Sequence, residues 1–410
     1  MKTFLLIAFL CIAIITLRAQ DKNTISIGII DSVNSTILKE QRKIWVYVPN
    51  NQGNAIYGGA RYPVVYLLDG DGHFSSVVGM IQQLSSVNGN TICPQMIVVG
   101  IPNTDRTRDL TPTHVAGGLY MDSAATKTSG GGEAFMAFIE KELIPHIDSL
   151  YPTTPYRMLI GHSFGGLTVI NTLVHHTNLF RSYIAVDPSM WWDNQKLLKQ
   201  TEEYLRTNSF AGTAIYMGIA NTMDEGMDTT RVQSDTSGST AHIRSILKLS
   251  HYFAANKQNN LRVNYRYYNE DNHGSSPLIT EYDGLHFIFK NYPLKIKNSY
   301  FTDQSFKIDS FLTVHYKLIS AEFGYSVLPP EQDVNEMAYQ FMGNKMFDKA
   351  ESLFKLNIAN YPESFNVYDS IGDLYSAKGD KAQAIENYKK ALSIKETPDT
   401  RKKLGELQGK

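Results

Sequence analysis

A serine with glycine neighbours occupies residues 161–166, between two apolar runs at residues 156–160 and 167–174. A serine on a tight turn between a strand and a helix is typical of a nucleophile elbow. Small neighbours let the backbone bend there and push the hydroxyl out of the sheet edge. Ser163 is therefore the candidate nucleophile. The alternative is a glycine-rich turn that only lets a helix pack close to a strand.

A nucleophilic serine needs a base within hydrogen-bond reach and an acid that orients this base. His273 is the candidate base, because it lies on a loop directly after the last predicted strand. The alternative for this residue is a solvated loop histidine. Most other histidines that follow Ser163 fall in predicted helices: His175, His176, His242, His251 and His286.

The orienting acid is expected on the loop after the seventh predicted strand, because a nucleophile–acid–histidine chain order is common in such enzymes. Asp224, Glu225 and Asp228 lie on this loop, and Asp224 is the first choice because it follows the strand most closely. A solvated acidic loop is the alternative. Asp187, after the sixth strand, is a weaker candidate.

An oxyanion hole needs two backbone N–H groups that point at the negative charge of the tetrahedral intermediate. The residue after the nucleophile, Phe164, supplies one candidate. Asp71, between Gly70 and Gly72 after the third predicted strand, supplies the second, since glycines let this backbone bend inward. The same glycines could equally form an ordinary turn.

The elements that position these residues alternate regularly between strand and helix, which predicts a mostly parallel sheet with helices on both faces. In such sheets ligands bind at the carboxyl ends of the strands, where the polar clusters of this chain fall. Two further strands are predicted within residues 24–49, the first from the alternation of Ile25, Ile27 and Ile29. The other predicted strands are residues 63–68, 96–101, 156–160, 182–187, 213–219 and 261–268.

Six segments occur in an order that one group of hydrolases shares: residues 35–42, 66–70, 106–112, 161–166, 188–192 and 273–275. Through them the chain resembles the esterase D and feruloyl-esterase-like branch of the α/β-hydrolases, and within it the trilactone siderophore esterases. The resemblance covers residues 24–293 and implies the α/β-hydrolase fold. It also implies that Ser163 and His273 are nucleophile and base, and that Asp71 and Phe164 are oxyanion donors. Residues 221–225 depart from the family pattern, and siderophore esterases can work with a Ser–His pair, so the acid stays open.

Four more side chains are candidates for substrate contacts. Arg106 and Arg108 could bind an acidic or catecholate group, or they could pair with neighbouring aspartates and stiffen their loop; Arg108 is the residue we assign to substrate binding. Trp191 and Trp192 could form an aromatic wall of the binding site, or they could pack half-buried against the core.

The N-terminus is typical of a secretory signal peptide, because Lys2 precedes an apolar run at residues 4–17 and a short polar stretch. We expect residues 1–20 to be removed and the protein to be periplasmic or secreted. The run is shorter than the ~20 residues that span a bilayer, so no stable membrane insertion is expected. The mature chain would keep Cys93 alone and form no internal disulfide.

The domain organisation predicted from the sequence is a hydrolase domain at residues 21–295, a helical linker at residues 296–332 and an all-α repeat module at residues 333–410. A 34-residue period relates aromatic and small residues in the module, as in tetratricopeptide repeats. The matched pairs are Ala338 and Gly372, Phe341 and Tyr375, Ala350 and Ala384, Phe354 and Tyr388, and Asn357 and Ala391.

Two repeats are too few for a free-standing solenoid, so residues 306–321 and 400–407 should pack against the two ends. The module could dock a protein partner or a second copy of the chain, or it could stabilise the hydrolase as an appendage.

The function predicted from these residues is hydrolysis of a small-molecule or glycan-linked carboxylic ester through an acyl-enzyme on Ser163. An acyltransferase of the same fold is an alternative, and a non-catalytic protein that binds partners through its repeats is another. No metal or cofactor is implied, because no His/Cys cluster has ligand spacing. The net charge of −1 offers no electrostatic basis for nucleic-acid binding.

Overall fold

The computed structural model describes residues 24–50 and 59–409, so the predicted signal peptide lies outside the described residues. The described residues form one eight-stranded sheet. Its strands are β1 (Ile29–Ser35), β2 (Glu40–Tyr47), β3 (Tyr62–Leu68), β4 (Ile97–Ile101), β5 (Thr153–His162), β6 (Ser182–Val186), β7 (Ala214–Ala220) and β8 (Arg262–Tyr268).

The strand order across the sheet is β1-β2-β4-β3-β5-β6-β7-β8. Strand β2 pairs antiparallel with β1 and β4, and all other neighbours are parallel. Strands β3, β4, β6 and β7 are buried throughout, as expected for parallel strands that helices cover on both faces. The predicted mostly parallel α/β-hydrolase sheet is therefore confirmed.

The helices of the hydrolase domain follow the predicted alternation with small shifts in their ends. They are α1 (Gly70–Ser85), α2 (Arg106–Leu110), α3 (Gly132–Phe138), α4 (Ile144–Leu150), α5 (Phe164–His175), α6 (Trp192–Thr207), α7 (Ala241–Ala255) and α8 (Ser276–Ile288). A π-helical segment, Ile139–Leu143, joins α3 to α4, so residues 132–150 form one continuous helical stretch.

Both strands predicted within residues 24–49 are present, but the first begins later than its alternating isoleucines indicate. The alternation of Ile25, Ile27 and Ile29 predicted a strand, but β1 begins only at Ile29, and Ile25 is 98% exposed. Residues 29–35 pair with β2, whereas the earlier isoleucines have no strand beside them. Alternation without a pairing partner does not make a strand.

The sheet separates two apolar cores. Along β3, Val64, Tyr66 and Leu68 pack into one core while Val65 and Leu67 pack into the other, as the two-residue period of a strand requires. Cys93 is buried in the second core and forms no disulfide. Among residues 24–50 and 59–409, no helix combines the length and the apolar character needed to cross a membrane.

The C-terminal part is all helical, as predicted. Its helices are α9 (Asn298–Thr302), α10 (Ile308–Phe323), α11 (Glu331–Gly343), α12 (Phe347–Asn360), α13 (Phe365–Ala377), α14 (Lys381–Ile394) and α15 (Pro398–Gln408). Gly372 shows why small residues recur in the repeat, because a Cβ there would lie 2.6 Å from the Tyr388 ring.

Helix α10 joins the two parts of the chain. Ile319 and Phe323 belong to the second hydrolase core, whereas Ile308 and Leu312 pack in the core of the repeat helices. The linker predicted at residues 296–332 thus contains a packed helix, α10, that both cores share.

Candidate active site

Ser163 lies on a strained turn between β5 and α5. Its backbone has φ 61° and ψ −114°, a left-handed conformation that is costly for any residue with a side chain. Three backbone bonds hold it there: the Ser163 N–H donates to Val186 O at 2.9 Å, and the Ser163 carbonyl accepts from the Ser189 N–H at 3.0 Å and from the Leu167 N–H at 2.9 Å. The geometry agrees with the predicted elbow.

The neighbouring glycines are required by close approach of the backbone. A Cβ on Gly161 would lie 2.4 Å from the carbonyl carbon of Gly165, and a Cβ on Gly166 would lie 2.9 Å from Pro188 Cα. Real Cβ atoms do not approach backbone this closely, so the strand–turn–helix geometry needs both glycines.

Asp187, at the end of β6, is the acid that contacts the candidate base. Its Oδ2 accepts from His273 Nδ1 at 2.6 Å and from His242 Nε2 at 2.8 Å, and its Oδ1 accepts from the Ala220 N–H at 3.0 Å. The Asp187 side chain is fully buried. Each carboxylate oxygen therefore has a partner, and the carboxylate is fixed in orientation.

The protonation state of the Asp187 carboxylate determines which ring nitrogen of His273 carries the proton. Burial alone would raise the pKa of Asp187, but the hydrogen bonds from His242 and His273 hold it well below its usual value. An ionised carboxylate only accepts, so His273 carries its proton on Nδ1 when it is neutral. The lone pair on Nε2 is then free to accept a proton, as a general base requires.

The prediction that Asp224 is the orienting acid disagrees with this geometry. Asp224 is exposed and its Oδ2 accepts from Ser239 Oγ at 2.8 Å, while the position beside His273 belongs to Asp187. Strands β6 and β7 are neighbours, so both of their following loops approach the base. The buried Asp187 faces His273, whereas Asp224 is exposed to solvent.

The predicted oxyanion donors both lie at helix N-termini. Asp71 is in the first turn of α1 and Phe164 is in the first turn of α5, where N–H groups have no carbonyl partner in their own helix. Helix α1 begins at Gly70, almost directly after β3. This start needs glycine, because a Cβ at Gly70 would lie 2.6 Å from Ile101 N.

Two cavities meet at Ser163 and His273. One, of about 280 Å³, is lined by aromatic and polar residues that include Trp191 and His242. The other, of about 370 Å³, is lined by the residues around Asp71. The nucleophile and the base are thus brought together with both candidate oxyanion segments.

The two tryptophans have different environments. Trp191 is half-buried, lines the first cavity and packs edge-on against Tyr120 with 4.7 Å between ring centroids. Trp192 is 2% exposed, packs in the core, and its Nε1 donates to Thr113 Oγ1 at 3.1 Å. Both also border a larger cavity of about 600 Å³, formed with residues 114–119 and 193–195.

The assignment of Arg108 to substrate binding also disagrees with the structure. Its guanidinium donates to Glu40 at 2.7 and 3.1 Å and to Asp109 at 2.7 Å, and Arg108 lines none of the three cavities described above. Arg106 does line the cavity beside Asp71, but it is paired with Asp69 at 2.6 Å. Both guanidinium groups are therefore paired with carboxylates, and Arg106 also borders the cavity beside Asp71.

Sequence reasoning missed three residues of this site. Ser189 Oγ lies 3.3 Å from Ser163 Oγ, and the His162 ring lies 4.5 Å from the His273 ring. Burial and the adjacent His273 and His73 rings lower the pKa of His162 to about 4, so this neighbour of the base stays neutral. His242 comes from α7, and its position in a helix gave no signal that it faces the acid.

The family model described as "Putative esterase" matches residues 35–276, and a tetratricopeptide repeat model matches residues 365–398. The ferri-bacillibactin esterase BesA of Bacillus subtilis is 32% identical over 156 residues, 36% of this chain and 54% of that protein. The siderophore enterobactin esterase of Emericella nidulans is 28% identical over 173 residues, 39% of this chain and 56% of that protein. The chain thus spans about half the length of these curated relatives.

Among solved structures, the IroE-like serine hydrolase from Shewanella oneidensis has a TM-score of 0.68 and 29% identity, over 80% of this chain and 98% of that one. An uncharacterised protein from Capnocytophaga ochracea has a TM-score of 0.59 at 17% identity, over 93% of this chain and 99% of that one, which shows a shared fold. These matches confirm the resemblance to siderophore esterases and the C-terminal repeat. The chain belongs to the esterase family whose model spans residues 35–276.

Proposed function

We propose that this protein is a serine carboxylic ester hydrolase. The observation that carries the proposal is that Ser163, on its strained elbow, lines the same cavity as His273, whose Nδ1 is held by a buried carboxylate. Membership of the esterase family supports this reaction, and so does the name of the serine hydrolase from Shewanella oneidensis.

In the proposed mechanism, Ser163 Oγ attacks the ester carbonyl carbon while His273 Nε2 takes the hydroxyl proton. Asp187 stabilises the imidazolium that forms, and the Asp71 and Phe164 N–H groups bind the oxyanion. Collapse of the intermediate breaks the ester C–O bond, and the alcohol leaves with the proton from His273. Water then repeats the sequence on the acyl-enzyme, releasing the acid and restoring Ser163.

The proposed substrate is an ester with a bulky, aromatic-bearing group. Trp191 lies between the cavity that Ser163 lines and the cavity of about 600 Å³, a volume within the range that holds drug-sized ligands. The relatives are named as esterases of ferri-bacillibactin and of siderophore enterobactin, so siderophore lactones are the first esters to test. Feruloyl and acetyl esters complete the panel.

The proposed location is periplasmic or secreted, and it rests on the signal-peptide pattern of residues 1–20. For the repeat module, the shared helix α10 favours a fixed attachment to the hydrolase, because its two ends pack in different cores. Docking of a partner on the repeats stays a prediction.

Replacement of Ser163 by alanine tests the proposal. Ser163→Ala should lower kcat for p-nitrophenyl esters by a factor on the order of 10⁶ and abolish labelling by a fluorophosphonate probe. Ser189→Ala is the matched control, since the Ser189 hydroxyl lies 3.3 Å from the Ser163 hydroxyl. This variant should keep both ester hydrolysis and labelling by the probe. Unchanged hydrolysis by a folded Ser163→Ala protein would end the proposal.

A further inference from the structure

Three possible metal ligands lie close together at the candidate active site, and one of them is the candidate base itself. Asp187 Oδ, His242 Nε2 and His273 Nδ1 all lie within 4.8 Å of one another. They come from three separate elements: the end of β6, helix α7 and the loop after β8. Two imidazoles with one carboxylate form a donor set that suits zinc and related transition metals.

The spacing is close to what a zinc ion needs. With Zn–N and Zn–O bonds of about 2.0–2.1 Å, ligand atoms on a tetrahedral ion lie about 3.3 Å apart. The two imidazole nitrogens now lie 2.6 and 2.8 Å from the same Asp187 oxygen. The separations would have to widen by about half an ångström, a change within reach of side-chain rotation.

Charge and orientation also favour a cation. In the described parts of the chain, His242 and His273 are the only basic side chains within ion-pair distance of Asp187. With both rings neutral the cluster carries one buried negative charge. The Ala220 N–H on Asp187 Oδ1 fixes the carboxylate from behind, as outer partners of metal ligands commonly do.

We propose that Asp187, His242 and His273 form an inhibitory site for Zn²⁺, in which the ion takes the place of the two N–H···O bonds on Asp187. The His273 side chain is 41% exposed against 11% for His242, so we expect the ion to enter from the side of His273. Three protein ligands leave one tetrahedral position for solvent or a substrate oxygen.

The chemistry of inhibition follows from the tautomer of His273, and it rests on the role of this residue in the proposed function. Zinc binds Nδ1 through its lone pair, so the proton of the neutral ring moves through solvent from Nδ1 to Nε2. His242 exchanges its proton from Nε2 to Nδ1 in the same way, with no net gain or loss of protons. Nε2 of His273 then donates and can no longer take the Ser163 proton.

The test measures zinc binding and hydrolysis separately on the full-length, untagged protein after treatment with EDTA. Calorimetric titration with ZnCl₂ should give one saturable site per chain, and zinc should inhibit ester hydrolysis reversibly on chelation. Mg²⁺ should not inhibit, because it prefers oxygen ligands and retains its water. Ser163→Ala should bind zinc as tightly as the parent although it is inactive, so a failure of the esterase proposal and a failure of this one are distinguishable.

His242→Gln is the decisive variant, because the Gln amide can still donate to Asp187 but replaces an imidazole ligand. It should weaken zinc binding by at least about tenfold. Loss of a residue that only hydrogen-bonds to a metal ligand already lowers metal affinity by about 10- to 100-fold. Each variant is compared with its own metal-free rate. His175→Gln, a change of an exposed histidine on α5, should leave zinc affinity unchanged. Absence of saturable binding, or equal affinity in His242→Gln and the parent, would overturn the proposal.

Discussion

Asp187 Oδ2 and His273 Nδ1 lie 2.6 Å apart, although 86 residues separate them in the chain. Asp187 follows β6 and His273 follows β8, with β7 between the two strands. The contact is possible because parallel strands bring their carboxyl ends to one edge of the sheet. The loop after β6, rather than the loop after β7, therefore supplies the carboxylate that contacts the candidate base.

Asp187→Asn should lower kcat for ester hydrolysis by about 10³- to 10⁴-fold with little change in KM, because the amide no longer holds the Nδ1–H tautomer of His273. Asp224→Asn is the matched control, since the Asp224 carboxylate is exposed and accepts from Ser239 Oγ at 2.8 Å; this variant should keep near-parental rates. Steady-state kinetics on both folded variants checks this. A larger loss in Asp224→Asn than in Asp187→Asn would restore the acid predicted from the sequence.

Gly161→Ala should disrupt the elbow, because the new Cβ would lie 2.4 Å from the Gly165 carbonyl. These are backbone atoms, which cannot move aside as the end of a flexible side chain could. We expect a loss of about 1–3 kcal/mol in the free energy of unfolding, together with loss of hydrolysis. Gly79→Ala, on the exposed side of α1 with no atom within 4 Å of the new Cβ, is the control. It should stabilise by about 0.5–1 kcal/mol. Denaturant melts separate the two, and a fully active, stable Gly161→Ala protein would contradict the geometry.

Substitutions of the two tryptophans should have different effects, one on substrate binding and the other on the stability of the fold. Trp191→Ala should lower kcat/KM about tenfold for an aryl ester and much less for an acetyl ester, since its ring borders the cavity of Ser163. Trp192→Ala should instead cost about 3–5 kcal/mol of stability, because its ring is buried in the core. Kinetics with the two esters and thermal melts of both variants decide this. The prediction fails if Trp191→Ala affects both esters equally.

Glu281 should make stability depend on pH. It is 1% exposed, and burial raises its pKa to about 8, from 4.5 for an exposed side chain. Between these values the unfolded chain ionises while the folded chain keeps the proton. The free energy of unfolding should therefore fall with rising pH, by up to about 1.4 kcal/mol per unit, and level off above pH 8.

Glu281→Gln removes this titration. The variant should gain stability relative to the parent as pH rises from 4.5 to 8, with the largest gain above pH 8. Asp283→Asn, a neighbour on α8 that pairs with Arg266 at 3.0 Å, is a control that should not reproduce this profile. Denaturation experiments across this pH range test the prediction. If the free energy of unfolding of Glu281→Gln and of the parent varied with pH in parallel, the buried Glu281 carboxyl would not be protonated as proposed.

The sequence by itself determined the elements and the order in which they carry polar residues. The apolar runs predicted β3 to β8 with end shifts of a few residues, and the glycine spacing located the turn of Ser163. The loop position of His273 selected it among the histidines. These features are local, since they depend on periodicity and on which residues tolerate a tight turn.

The tertiary structure alone decided which side chains meet at the site. Asp187 rather than Asp224 faces His273, because one is buried between neighbouring strand ends and the other is exposed, and spacing along the chain does not encode that depth. His242 reaches the same carboxylate from the side of α7, and Arg108 turns away to Glu40. Such contacts depend on how elements distant in sequence pack, and so they follow from the fold and not from any local pattern.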